Sequence, residues 1–186
     1  MFIQNFLTII IASLFCGISI AYIFSFNYFI SLITSFLVLF FPFITSFLYS
    51  EKIYIKPIFK LNIFGMLISI VFIIFKIPFF PILSLEEIYY YSKARKIFEN
   101  KITSKEIGKV SFIFILTLFI FAIFGIVIKS FLLTFLPSIL ILSFLFPYKN
   151  SFGSILFFYS PLYLSFFIIS SIIFLIISLL FLFFFF

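Results

Sequence analysis

Residues 61–83 read LNIFGMLISIVFIIFKIPFFPIL, and the topology turns on whether they cross a bilayer once or enter it and come back. The run is long enough to cross, since about 20 apolar residues in a helix span a hydrocarbon layer of ~30 Å. It ends in KIPFFP, with Lys76 near that end. A lysine so placed ordinarily snorkels its ammonium to the headgroups, with a polar role inside the membrane as the alternative. Taken as one crossing, this stretch is the third of six spans. If residues 61–83 dip in and return, the count is five.

Before it, residues 2–25 carry no charge. Ser13, Gly17 and Ala21 recur four apart there, on one helical face where a neighbouring backbone can approach closely. A brief break at Ser25-Phe26-Asn27 leads into a second span at 28–49, which contains Pro42. Proline is tolerated in a membrane helix where neighbours satisfy the freed carbonyl. Downstream, 110–128 and 130–147 form the fourth and fifth spans, with only Lys129 between them. After the turn-rich FPYKNSFGS at 146–154, a last segment runs from about 155 to Phe186, with Pro161 near its start.

Composition agrees with this pattern. The 186 residues are 66% hydrophobic and 9% charged, with a mean hydropathy of +1.47. A soluble domain is nearer half apolar and a quarter charged. The fold class is therefore an all-α polytopic membrane protein, one integral domain over 1–186. Phe, Ile, Leu, Lys and Tyr, all written by AT-rich codons, are abundant, and Arg95 is the one arginine. An AT-rich organelle genome or a reduced microbe would write such a chain, so the 38 phenylalanines carry little functional weight. A mitochondrial inner membrane or a prokaryotic plasma membrane is the expected location. The first segment lacks the basic n-region of a cleavable signal peptide.

Absent residue types narrow the chemistry. The sequence has no His, Asp or Trp, and Cys16 is its one cysteine. Disulfides within the chain and Cys/His zinc sites are excluded, as are histidine bases, aspartyl dyads and Asp-bound magnesium. The expectation is no cofactor and no enzyme, leaving transport, translocation, assembly or scaffolding. A net charge of +7 points in a membrane protein to topology and anionic lipid rather than to nucleic acid.

Two polar stretches interrupt the spans. FITSFLYSEKIYIKPIFK, 43–60, brings Glu51, Lys52, Lys56 and Lys60 together. SLEEIYYYSKARKIFENKITSKEIGK, 84–109, opens with Ser84 and Glu87 at capping-box spacing. Ile88, Tyr91, Arg95, Phe98 and Ile102 follow at helical intervals, which predicts a short amphipathic cap helix lying on the membrane or against a partner. Thr103 and Glu106 form a second capping box leading into the fourth span. With six spans these two stretches face opposite compartments, yet both are basic. The longer has six Lys/Arg against four Glu and the shorter three Lys against one Glu. Lys/Arg count places the longer one inside and the termini outside.

The order of features resembles the TatC family, the multispanning core of the Sec-independent twin-arginine protein translocase, over roughly residues 36–170. Pro42 followed by FLYSEK places Leu48, Tyr49, Glu51 and Lys52 on that family's Leu-Tyr…Glu-Lys signature. IFGMLISIVFIIFKIPFFP is similar to its third helix, and KEIGKVSFIFILTLFIFAIFGIV, with Phe124-Gly125, to the entry of its fourth. The N-terminal Glu-Leu-Arg segment and the long first loop are missing, and Ser46-Phe47 stand where the family has Pro-Gly. Lys129 lies near the place of its fourth-helix Glu or Gln. The resemblance implies both termini on the side of Glu51. It also implies signal-peptide binding by Glu51 and Lys52, and a hetero-oligomer with single-span translocase subunits. A carboxylate at the membrane boundary can take a charge-assisted pair from a signal arginine. Two other classes fit the same sequence: the membrane component of an ABC-type solute importer, and a structural subunit of a respiratory or other membrane complex.

Overall fold

A computed structural model describes residues 2–53, 57–87, 104–146 and 151–185. In chain order the elements are α1 (Phe2–Phe24), α2 (Tyr28–Lys52), β1 (Pro57–Leu61), α3 (Ile63–Ile74), β2 (Leu83–Glu87), α4 (Ser104–Val127), α5 (Phe131–Leu145), α6 (Phe152–Tyr159) and α7 (Pro161–Phe185). Four helices, in α1, α2, α4 and α7, are long and apolar enough to cross a membrane, while α3 and α5 are shorter apolar helices. This is an integral membrane protein built on helices, with one two-stranded ribbon.

Residues 61–83 do not form a third span. β1 and β2 pair antiparallel, Pro57 opposite Glu87 and Leu61 opposite Leu83, so the chain leaves and rejoins the bundle side by side. The outward limb is α3, of 12 residues. Its end reverses at Lys76, whose φ is 57°. The Lys76 N–H donates to the Ile73 carbonyl and the Ile77 N–H to the Phe72 carbonyl, both at 2.9 Å. This is a Schellman turn with lysine in the left-handed position that glycine usually takes. The return limb, 77–82, is extended and packs back along α3. The hairpin lies beside the helical bundle, and its course is one of entering and returning, not of a single crossing.

Non-helical backbone at membrane depth has to be covered by protein, because hydrocarbon offers it no hydrogen bonds. Every residue from Phe80 to Leu85 is buried. Pro78 and Pro81 bring no N–H, which removes two donors from the accounting. The Phe80 N–H donates to Ser143 Oγ on α5 at 2.9 Å. Asn62 donates its N–H to the Ile82 carbonyl at 2.8 Å and its side-chain amide to the Pro81 carbonyl at 3.2 Å.

The core gathers where β1 enters. Phe59 lies 5.5 Å, centroid to centroid, from Phe43 of α2, 5.6 Å from Phe114 of α4 and 6.1 Å from Phe152 of α6. Phe144 of α5 completes the group, 5.9 Å from Phe114 and 5.5 Å from Phe152. All five rings are fully buried. Around them α2 packs on α1 and α4, and α5 packs on both α4 and α7. The final segment is two helices, since the chain breaks at Ser160 and restarts with Pro161 at the first helical position.

The bundle has two ends. At the ribbon end lie Asn5, β1, the start of α4 and α6. At the turn end lie the reversals at Ser25, Lys76 and Lys129, the three non-glycine residues of positive φ among the described residues. α7 runs parallel to α4, with Tyr163 against Phe112 and Phe174 against Phe119, so it starts at the ribbon end and finishes at the turn end.

This arrangement removes the charge conflict. Residues 50–60 and the chain on either side of 88–103 meet at the ribbon end. Of the 12 basic residues, Lys76 and Lys129 stand at the turn end. Among the other described ones, Lys52, Lys60, Lys105 and Lys109 stand on elements at the ribbon end. The strand over Leu83–Glu87 also replaces the helix start expected from Ser84 and Glu87, because Ser84 pairs with Lys60 across the ribbon. The remainder of that cap, 88–103, lies outside the described residues.

In a Cys16→Ala background, single cysteines at Lys52 and Lys109 should react with impermeant maleimide from the same face of sealed vesicles. A cysteine at Ser25 should react from the other face. Labelling of Lys52 and Lys109 positions from opposite faces would mean that 61–83 crosses after all.

Candidate functional site

The groups singled out in the sequence fall into three separate places. Ser13, Gly17 and Ala21 are buried on α1. Gly17 faces α2, where a Cβ would come within 2.9 Å of Leu32 Cα, so the two backbones touch there. Ser13 donates its hydroxyl to the Ile10 carbonyl at 2.8 Å, closing on its own helix. Glu51 and Lys52 are exposed in the last turn of α2, at the ribbon end. Lys76 and Lys129 are both exposed at helix-ending turns. Both stand at the turn end of the bundle, apart from Glu51 and Lys52. Lys129 repeats the turn of Lys76: its N–H donates to Ile126 at 3.1 Å and that of Ser130 to Gly125 at 2.9 Å.

Asn5 carries a role that the sequence reading passed over. Its side-chain amide donates to the Pro57 carbonyl at 2.9 Å, and its Oδ1 accepts the Phe59 N–H at 3.1 Å. One buried carboxamide thus takes the place of a third strand along the outer edge of β1. An asparagine within an uncharged apolar run was the available signal, because a buried amide needs partners for both its donor and its acceptor.

Between the hairpin and α5 lies a cleft of about 530 Å³. One wall is α3, through Gly65, Ile68 and Phe72. Another is the return limb at Pro78 and Phe79, and the third is α5 at Ile139 and Leu142. Asn62, at the mouth of the hairpin, is the one polar side chain lining it among the described residues. The cleft exists because α3 is held by few contacts. Only Gly65 and Ser69 of that helix are buried, and Gly65 sits so close to the Pro81 carbonyl that a Cβ would overlap the oxygen. Ile63, Phe64, Leu67 and Ile74 face outward. Hydrocarbon walls of this kind hold apolar matter by exclusion from water and by dispersion contacts, and they give no foothold to a polar solute. Among the described residues no group of His, Cys, Asp or Glu could hold a metal ion.

No family model, curated protein or solved structure matches this chain.

Replacing Asn5 by Leu should leave the Pro57 carbonyl and the Phe59 N–H unpaired in an apolar setting, at a cost of about 1–3 kcal/mol for each buried group. A lowered thermal unfolding midpoint in detergent, with faster hydrogen exchange at Phe59, is the expected result. Asn5→Gln, which keeps the amide, should lose less.

Proposed function

We propose that the chain is a membrane-embedded binding subunit of a larger assembly, working without catalysis, and that the cleft between the hairpin and α5 receives a hydrophobic segment of a partner membrane protein. One observation carries this: α3 stands off the bundle on a glycine contact and leaves a hydrocarbon-lined cleft. A sequence with no His and no Asp supplies few of the groups that acid–base or metal chemistry uses. The apolar lining favours this role over an ABC-type solute importer, whose path needs polar groups. A mitochondrial inner membrane or a prokaryotic plasma membrane remains the proposed home, on codon bias.

A second reading keeps the diverged core of the Sec-independent translocase, with Glu51 and Lys52 meeting a twin-arginine signal. The exposure of both residues at the basic end of the bundle favours it. Against it, that design calls for residues 50–60 and 84–109 on opposite faces and for both termini beside Glu51. The β1–β2 pairing and the parallel course of α4 and α7 run counter to both requirements. Crosslinking from Glu51→Cys to a twin-arginine precursor would revive it.

The binding reading predicts a stoichiometric partner after purification in mild detergent. A photoreactive residue at Leu142 should crosslink to an apolar segment of that same partner. Leu142→Trp, which fills the cleft, should release the partner while the chain stays folded. A lone chain that crosslinks only to lipid would end the proposal.

A further inference from the structure

A second hollow, of about 420 Å³, opens at the turn end between the α1–α2 turn and the tip of the hairpin. Tyr22, Ser25, Tyr28 and Lys76 supply its polar lining, with Ala21 and Phe26 as the floor. Lys76 comes from a distant part of the chain, so the hollow exists only once the hairpin is in place. Tyr22, Ser25, Tyr28 and Lys76 are all exposed. The residues around the hollow thus include one lysine and three hydroxyl-bearing side chains, all types able to donate a hydrogen bond.

Among the described residues no acidic one lines it, and Glu51, Glu86 and Glu87 stand on elements that end at the ribbon end. The turn end holds Lys76 and, across Phe26, a neighbouring hollow of about 300 Å³ lined by Asn27, Lys129 and Ser130. A cationic, donor-rich pocket beside the apolar flank of α1 matches a phosphodiester whose tails lie along that flank. Tyrosine is also the side chain that settles at the headgroup level, with its ring in the apolar layer and its hydroxyl in the wet one.

Residue choice at the tip supports the same reading. A left-handed backbone costs an L-residue roughly 1–2 kcal/mol, which glycine avoids and asparagine lessens. A positive charge at a helix C-terminus recovers only ~0.3–1 kcal/mol from the helix dipole. An anionic ligand at the tip supplies a further reason for the charge.

We infer that the hollow formed by Tyr22, Ser25, Tyr28 and Lys76 binds the phosphodiester headgroup of a membrane phospholipid, with Lys76 as the charged contact. The site is independent of the cleft beside α5 and of its occupant.

The test is titration of purified full-length chain in neutral detergent with a short-chain phosphatidylglycerol, read by native mass spectrometry. Inorganic phosphate forms a separate arm. Lys76→Asn keeps a residue suited to the left-handed turn and removes the charge, and Lys129→Asn removes one charge of the same end. The expected result is one saturable lipid per chain, bound about tenfold more weakly by Lys76→Asn, the loss of one charge-assisted hydrogen bond. Lys129→Asn should stay within about twofold, below what such a bond is worth. Should Lys76→Asn unfold, the Tyr22→Phe/Tyr28→Phe double variant should weaken the same site. Equal weakening by both lysine variants would reduce the effect to diffuse charge and overturn the site. Unchanged binding in Lys76→Asn, or in the double variant where that is the one measured, would overturn it outright. Saturation by inorganic phosphate as tight as by lipid would assign the hollow to a free anion instead of a headgroup.

Discussion

An extended backbone limb inside a helical membrane bundle is tenable only if each of its polar groups is answered by protein. The rest of this fold follows from that constraint. The outer edge of β1 is met by the carboxamide of Asn5 and the inner edge by β2. The return limb is met by Ser143 and Asn62, and its two prolines present no donor. The aromatic group around Phe59 then seals the ribbon from lipid on the helix side. Remove the hydrogen bonding and burial of the rings becomes unaffordable, since an orphaned amide in hydrocarbon costs several kcal/mol.

Much of the fold was legible in the sequence. The length and apolarity of α1, α2, α4 and α7 follow from composition and from polar punctuation, and the turn at Lys129 lies where its single charge puts it. The close approach of α1 and α2 at Gly17 follows from small residues at helical spacing. Residues 61–83 were harder, because a largely apolar run of 23 residues satisfies a length criterion whether it forms one helix or a helix with a non-helical return. Pro78 and Pro81 favour the return, yet paired prolines also end ordinary spans. Ser84 and Glu87 match a capping box by spacing, but a partner strand 24 residues earlier overrides a local signal. The phenylalanines illustrate another limit. Codon bias makes Phe uninformative on average, and only the coordinates separate Phe59, Phe114 and Phe152 from their lipid-facing kin.

The two candidate surfaces occupy different depths and follow different physics. The cleft beside α5 is hydrocarbon-walled and selects by shape and dispersion. The turn-end hollow is cationic and selects by charge and donor geometry. The hairpin joins them: its flank walls the cleft, and its tip carries Lys76.

The double hydrogen bond of Asn5 also bears on biogenesis. Its carboxamide lies in α1, while its partners stand about fifty residues further along the chain. The Phe80 amide waits longer still, for a hydroxyl 63 residues downstream. Both α1 and the hairpin therefore complete their polar contacts only when later elements are in place.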